Sequence, residues 1–338
     1  MEKTVTLAHG AGGLETALLV KELVKLFAIK NTPGGTGLRE LEDSALIPLG
    51  EYYLAVTADS YTVNPIFFPG GDIGKLAATG TINDLAVMGA EPLAMLDTVV
   101  VEEGFPLEDL SKIMNSMARV LEEEKVALVG GDVKVMPKGA LDKIVITTMG
   151  LGLVEKNRIV RNSGLKPGDV IIINGTVGDH GAVIMACQAG IEVETSLVSD
   201  CAPVTKAMRI ALEVGGVHAA KDPTRGGLAM ALNDLAKKSG VSILVHEEKL
   251  PIREEVIAYC EMLGVDPLTL ACEGRVVLGV DREVAAEIVE ALREKGYREA
   301  TVIGEVIEGR VPRVYMRTKI GGTRIVEEPR GEIVPRIC

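Results

Sequence analysis

The chain contains no tryptophan, and aromatic residues make up only 3% of its 338 residues. Because 47% of the residues are hydrophobic, the core has to be built from aliphatic side chains. No uninterrupted apolar run approaches the roughly 18 residues of a membrane span, and no apolar stretch follows a basic start. We therefore expect neither a membrane span nor a signal peptide. The length suggests about two domains.

An excess of basic residues is also missing, because 48 acidic residues outweigh 36 basic ones and give a net charge of −12. This charge argues against binding to nucleic acid or to an anionic membrane surface, since both favour a basic protein face. It does not exclude a bound polyphosphate, because Mg²⁺ can lie between carboxylates and phosphates.

The cysteines are odd in number and lack the C-x-x-C spacing of structural zinc sites. We therefore expect free thiols and a reducing, cytoplasmic location. Cys338 is the last residue and follows an apolar segment with Val334 and Ile337. This segment is either a frayed end with an incidental cysteine or a mobile arm that carries a thiol into a site. The other cysteines are Cys187, Cys201, Cys260 and Cys272.

Strand and helix patterns mix in both halves of the chain, which predicts an α+β (mixed α/β) fold in two domains. The pattern pauses near residues 155–166, so we place an N-terminal domain at residues 1–155 and a C-terminal α+β domain at residues 156–320. Residues 321–338 are expected to form a mobile tail.

Hydrophobic patterns in the first half predict individual helices and strands. Apolar residues recur at helical spacing over Leu107–Glu124, and small residues predict a second helix over residues 73–88. Residues 4–7 are predicted as a short strand, and residues 126–129 as a buried strand.

Four aspartates stand in unusual settings. Asp59 and Asp132 follow apolar strands, Asp84 lies in a helix of small and apolar residues, and Asp43 lies in Leu-Glu-Asp-Ser-Ala. Carboxylates at strand ends can converge at one sheet edge, where Mg²⁺ and a nucleoside triphosphate would bind. Each aspartate alone is equally well explained as a cap or a turn residue.

Glycine clusters at residues 10–13, 34–37 and 224–227 suit a phosphate, because bare backbone amides can approach an anion. None matches a P-loop or a dinucleotide-binding motif, and each alone is also typical of an ordinary turn. Two further residues have open roles: Lys134 is either solvated or directed to the same face as Asp132, and Glu273 is either a base or a turn residue.

Seven motifs, spread over nearly the whole chain, resemble the aminoimidazole-ribonucleotide synthetase and selenophosphate synthetase superfamily. The terminal cysteine motif makes the resemblance specific to its hydrogenase maturation branch, the HypE family. The motifs are His9-Gly-Ala-Gly-Gly13, Glu42-Asp-Ser-Ala45, Asn83-Asp-Leu-Ala-Val-Met-Gly-Ala90, Val129-Gly-Gly-Asp-Val-Lys-Val135, Asp222-Pro-Thr-Arg-Gly-Gly-Leu-Ala229, Ala271-Cys-Glu-Gly274 and Pro335-Arg-Ile-Cys338.

The resemblance implies the superfamily's two-domain fold, a homodimer formed by the N-terminal halves, and ATP with Mg²⁺ in a cleft of the N-terminal domain. It implies that the carbamoyltransferase HypF loads a carbamoyl group on the Cys338 thiol. ATP-dependent dehydration then converts the S-carboxamide to an S-cyanate. The cyano group passes to iron held by HypC and HypD, as a cyanide ligand of nickel–iron hydrogenases.

The same resemblance assigns roles to individual residues. Cys338 would be the covalent carrier, with Arg336 or the partner favouring its thiolate, and Glu273 and Lys134 would be base and polariser. The expected magnesium ligands are Asp43, Asp59, Asp84 and Asp132. The expected nucleotide-binding residues are these four with Asn83, Gly130, Gly131 and Arg225.

Two other functions remain compatible with the sequence. One is a different ATP-dependent synthetase of this superfamily that acts on a small molecule, for which Cys338 would be dispensable. The other is a non-catalytic scaffold whose tail docks a partner, and this predicts no ATP hydrolysis.

Overall fold

The computed structural model describes residues 4–190, 196–309, 311–332, 334 and 336–338. A five-stranded sheet, a two-stranded sheet and three helices make up the first half. The helices are α1 (Leu14–Lys25), α2 (Ile73–Val87) and α3 (Leu107–Glu124). The strands are β1 (Ala45–Leu49), β2 (Tyr52–Tyr61), β3 (Phe67–Phe68), β4 (Gly71–Asp72), β5 (Glu91–Glu102), β6 (Ala127–Met136) and β7 (Ile144–Glu155).

The five-stranded sheet has the order β1-β2-β7-β5-β6, with β6 at one edge. Helix α2 packs on β2 and β7, beside α3. It begins at Asp72, whose Oδ1 accepts hydrogen bonds from the backbone N–H groups of Gly74 (2.8 Å) and Lys75 (3.0 Å). Gly80 lets the helix approach the sheet, because a Cβ there would lie 2.3 Å from the Tyr61 hydroxyl.

The second half is a seven-stranded sheet with helices on both faces. Its strand order is β14-β13-β10-β12-β8-β11-β9. The strands are β8 (Val170–Ile173), β9 (Val217–Lys221), β10 (Ser242–His246), β11 (Val277–Val280), β12 (Thr301–Ile307), β13 (Val314–Arg317) and β14 (Thr323–Val326). The helices are α4 (Asp179–Gln188), α5 (Thr205–Val214), α6 (Gly227–Ser239), α7 (Glu254–Leu263) and α8 (Ala285–Glu294).

All four residues of strand β8 are apolar and buried. Ile171 and Ile173 belong to a cluster with Leu228 and Leu232 of α6, whereas Ile172 belongs to a second cluster with residues of α5 and α8. Successive side chains of a strand point to opposite faces, so a strand covered on both faces is apolar throughout. The core is aliphatic, as expected from the composition.

Two local predictions were wrong. Residues 4–7 do not form a strand; Leu7–Gly10 is a short 3₁₀ helix instead, and both Val5 and Leu7 are exposed and so lack the burial that favours a strand. The strand predicted at residues 126–129 exists as β6, but it is exposed along its length. It pairs only with β5, so its apolar residues have no cover within the described chain. Helix α5 and strands β9, β13 and β14 were not predicted.

The segment predicted as a mobile tail, residues 321–338, lies against the rest of the protein where it is described. It contains β14, which pairs with β13. Its end runs beside the chain after β2: the Thr62 and Asn64 N–H groups donate to the carbonyls of Cys338 and Arg336, each at 3.0 Å. Val334 and Ile337 are each only 6% exposed, in a cluster that includes residues of both halves. The sequence could not predict this docked position, which depends on long-range contacts.

No helix in the described ranges of the chain is long and apolar enough to cross a membrane.

Candidate active site

A cleft of about 1020 Å³ opens between the two halves of the protein. The first half lines it with α1, β1, the segment before β1 and the middle of β2, and the second half lines it with the end of β9 and one face of α6. Thr57 and Asp59, which share a face of β2, both line the cleft, and so do their neighbours Val56 and Ala58. Both halves therefore contribute polar groups to one site.

Three carboxylates meet on the floor of the cleft. Asp43 precedes β1, Asp84 lies in α2 and Asp222 follows β9, and each offers an oxygen within 4.8 Å of the others. The Thr57 hydroxyl donates to Asp84 Oδ2 at 2.8 Å, and Lys221 Nζ donates to Asp43 Oδ1. Asp43 Oδ2 is buried without a hydrogen-bond partner among the described residues.

This oxygen donor set fits a divalent cation such as Mg²⁺, which prefers carboxylate ligands and leaves sites for phosphate oxygens. Burial raises the pKa of Asp84 well above its usual value, and the charges of Asp59 and Asp222 raise it further. Burial, followed by the charge of Asp43, raises the pKa of Asp222 to about 7. A cation would relieve this repulsion, because it favours the ionised form of each carboxyl.

The docked tail brings the Cys338 thiol within electrostatic range of Glu273 and of two residues that line the cleft, Arg225 and Asp59. Burial raises the pKa of the thiol to about 12; the negative charge of Glu273 adds to this rise and the guanidinium of Arg225 opposes it. Glu273 is 1% exposed, and its Oε1 has no hydrogen-bond partner in the described part of the chain. Burial raises the pKa of Glu273 well above its usual value, and the charges of Asp200 and Asp222 contribute.

Arg225 lies where α6 begins. Its pKa is raised, mainly by the nearby Cys338, against the effect of burial. Its Nη1 donates to the Gly10 carbonyl at 3.2 Å. The turn into the helix needs glycine at Gly227, which has φ +61° and where a Cβ would lie 2.5 Å from the Leu270 carbonyl oxygen. The arrangement places a guanidinium and a helix N-terminus at the cleft, and both favour an anion.

Of the predicted site residues, Asp43, Asp59, Asp84 and Arg225 line the cleft, and Cys338 and Glu273 lie beside it. Four others do not line it, because they belong to the exposed edge strand β6. There Lys134 Nζ and Asp132 Oδ2 form an ion pair of 2.8 Å, with exposed fractions of 64% and 55%. The four are Gly130, Gly131, Asp132 and Lys134.

Asn83 is fully buried behind the cleft. Its Nδ2 donates to the Glu273 carbonyl at 3.2 Å, and its Oδ1 accepts from the Val204 N–H at 2.8 Å. The amide therefore fixes the Glu273 loop against α2. The side chain of Arg336 contacts the Thr62 carbonyl and Asp142 rather than the thiol.

Sequence reasoning left out Lys221 and Asp222. Asp222 belongs to the carboxylate cluster, and Lys221 forms an ion pair with Asp43 of that cluster. Burial opposes the charge of Lys221, but Asp43 and two other carboxylates raise its pKa above the usual value. Asp222 lies directly after a strand and shortly before a Gly-Gly helix start. The strand-end criterion missed Asp222 because β9, the strand that it follows, was not predicted.

Comparison with known proteins identifies the protein family to which the chain belongs. Residues 41–154 match the family model "AIR synthase related protein, N-terminal domain", and residues 166–317 match "AIR synthase related protein, C-terminal domain". A putative hydrogenase expression/formation protein of Methanocaldococcus jannaschii is 45% identical over 99% of both chains. The carbamoyl dehydratase HypE of Rhodobacter capsulatus is 42% identical over 100% of this chain and 99% of its own.

Two solved structures show the same architecture. A crystal structure of a HypE–HypF complex superposes with a TM-score of 0.86 at 41% identity, covering 93% of this chain and 100% of that one. A crystal structure of HypE in complex with ATP has a TM-score of 0.82 at 37% identity, covering 99% and 100%. The chain belongs to the HypE family of hydrogenase maturation proteins, and the predicted two-domain α+β fold is confirmed.

Proposed function

We propose that this protein is an ATP-dependent carbamoyl dehydratase that works on its own C-terminal thiol. It converts an S-carboxamide on Cys338 to an S-cyanate, which supplies the cyanide ligand for nickel–iron hydrogenases. The observation that carries this proposal is the position of Cys338, beside Glu273 at a cleft that holds three clustered aspartates. The name carbamoyl dehydratase among relatives of 42% identity supports it.

The aspartate cluster is proposed to hold Mg²⁺ with ATP, as the ATP complex of a HypE structure supports for the nucleotide. When bound, Mg²⁺ would offset the negative charge of the phosphates. Asp43, Asp84 and Asp222 would ligate the ion, with Asp59 next to them. Arg225 and the start of α6 would orient the phosphate that is transferred to the carbamoyl oxygen.

The reaction needs an activated oxygen and a proton acceptor. Transfer of the γ-phosphoryl group to the carbamoyl oxygen turns that oxygen into a leaving group. Cleavage of the C–O bond then releases inorganic phosphate, while the nitrogen loses two protons overall and becomes the nitrile. Glu273 is the proposed proton acceptor: it is buried, its Oε1 is unpartnered among the described residues, and its raised pKa makes its carboxylate a stronger base than an exposed glutamate.

Loading of the thiol requires the tail to leave the cleft. A thiolate is the nucleophile in carbamoyl transfer, and burial holds the pKa of docked Cys338 at about 12. The docked state therefore suits dehydration rather than loading. We propose that HypF loads the released tail. The crystal structure of a HypE–HypF complex supports HypF as the partner. HypC and HypD would then receive the cyano group. A free thiol and ATP fit the cytoplasm.

A homodimer is proposed through β6 and the face of the first sheet that α2 and α3 leave uncovered. Val129, Val133 and Val135 of β6 are 60%, 63% and 64% exposed, and an apolar edge strand of this kind favours association. Asp132 and Lys134 lie outside the cleft of their own chain. If they contact ATP as predicted, they do so in the cleft of the partner chain.

The test is mass spectrometry of the C-terminal peptide after incubation with HypF, carbamoyl phosphate and ATP. We expect a carbamoyl adduct on Cys338 that loses one water only when ATP is added. Cys338→Ala should form no cyano product, whereas Cys187→Ala, which changes another half-buried thiol, should behave as wild type. Full product formation by Cys338→Ala would favour a small-molecule synthetase, and absence of ATP hydrolysis would favour a scaffold.

A further inference from the structure

A buried histidine in α4 contacts the tail next to Cys338. His180 has no exposed surface, although it lies in the first turn of the helix. Its Nε2 lies 2.8 Å from the carbonyl oxygen of Ile337, and its Nδ1 lies 2.8 Å from Ser199 Oγ. The ring of Phe68 packs edge-on against the imidazole, with centroids 5.3 Å apart. The proposed chemistry gives His180 no role.

The contacts define the proton positions. A carbonyl oxygen only accepts, so Nε2 carries the proton and donates it to Ile337. Burial lowers the pKa of His180, which favours the neutral ring. Nδ1 therefore accepts from the Ser199 hydroxyl, which in turn accepts from the Cys201 N–H at 3.1 Å. Every polar atom of this small network is satisfied while the tail is docked.

Release of the tail affects His180 differently from the other tail contacts. Thr62 and Asn64, which also bond to the tail, are only half-buried, so water can replace their partners. The hydrogen bond from His180 Nε2 is fully buried in the docked state, where water does not compete with it. The bond to Ile337 therefore contributes more to tail docking than an exposed backbone contact does.

We propose that His180, oriented by Ser199, is a positioning residue that latches the docked tail and so sets how often Cys338 leaves the cleft. The consequence for catalysis rests on the proposed function, because the tail must be released for loading and docked for dehydration. The latch itself is a property of the chain alone. It can be measured without ATP or HypF.

The experiment is alkylation of the full-length protein with iodoacetamide, with modified Cys338 quantified over time by mass spectrometry of the C-terminal peptide. His180→Phe keeps an aromatic ring but removes the donor, so labelling should accelerate about 10-fold. His180→Gln keeps an N–H at the same reach and should remain near the wild-type rate. His246→Phe is the matched control, because that half-buried histidine lies in β10 and should not affect labelling.

A wild-type labelling rate in His180→Phe would overturn the proposal, as would a His180→Gln rate as fast as that of His180→Phe. Ser199→Ala gives a second test that spares the imidazole. It removes the donor that fixes the tautomer, so labelling should accelerate about 3-fold. An unchanged rate in Ser199→Ala would remove Ser199 from the latch. If the His180 variants change the labelling rate as expected but no cyano product forms on Cys338, the result would count against the proposed function and not against the latch.

Discussion

The carboxyl of Asp222 shows how burial and neighbouring charge make a single residue sensitive to pH. An unfolded aspartate loses its proton near 3.8, whereas folded Asp222 keeps it up to about 7. In that range the folded protein binds more protons than the unfolded chain, so stability falls as the pH rises. Asp84 and Glu273, whose pKa values are also raised, act in the same direction.

We therefore expect the melting temperature of the cation-free protein to fall between pH 5 and about pH 7.5, and saturating Mg²⁺ to reduce this fall. Asp222→Asn should flatten the pH dependence and weaken the response to Mg²⁺. Glu123→Gln, which changes an exposed carboxylate of α3, is the control. The measurement is a set of calorimetric melting curves across this pH range. The same pH dependence of the melting temperature in wild type and Asp222→Asn would contradict the raised pKa of Asp222.

Glu273 is the residue on which the proton-transfer step depends. Glu273→Gln keeps the size of the side chain but removes the base, so dehydration should slow by at least about 100-fold. Loading by HypF should continue, because it takes place with the tail released. The measurement is the ratio of carbamoyl to cyano adduct on the C-terminal peptide after ATP is added. Accumulation of the cyano form at the wild-type rate would exclude Glu273 as the base.

Among the secondary-structure elements, the edge strand β6 exposes apolar side chains that no other part of the described chain covers. If Asp132 acts in the cleft of the partner chain, the substitutions Asp84→Asn and Asp132→Asn fall in the same site of a mixed dimer. One site of that dimer then has both wild-type residues. After subunit exchange of equal amounts, two inactive variants should regain about a quarter of wild-type ATP turnover, as expected for random pairing in a two-fold dimer.

No recovery after confirmed exchange would show that Asp132 does not complete the site from the partner chain. The interface itself is tested separately by sedimentation velocity. Val133→Lys places a charge on the exposed face of β6 and should favour monomers. Ile320→Lys is the matched control, since Ile320 is 96% exposed in the turn between β13 and β14.

The elements also show what the sequence could predict. Helix α3 was predicted with its correct bounds because its apolar residues recur at helical spacing. Asp43, Asp59 and Asp84 were predicted to converge, and all three line the cleft, although Asp59 lies within β2 rather than at its end. The exposure of β6 was missed because an apolar strand at an interface has the same sequence pattern as a buried one.

At the scale of the whole molecule, the tail joins the two halves. Val334 and Ile337 near its end pack in a cluster that contains α2 and α3 from the first half and α4 and α7 from the second. The backbone of its end pairs with residues 62–64, more than 270 positions earlier. Such contacts depend on the complete fold, which is why the docked position of Cys338 and the role of His180 could not be predicted from local patterns.

The central claim is that ATP bound at the aspartate cluster activates the carbamoyl oxygen on Cys338. The most direct measurement follows that oxygen. The chain is loaded with a carbamoyl group that carries a heavy oxygen isotope, the label on Cys338 is verified by mass, and ATP is added. We expect the label in the released inorganic phosphate, one labelled oxygen for each cyano group formed. Unlabelled phosphate, with the heavy oxygen in water or carbamate, would contradict the mechanism.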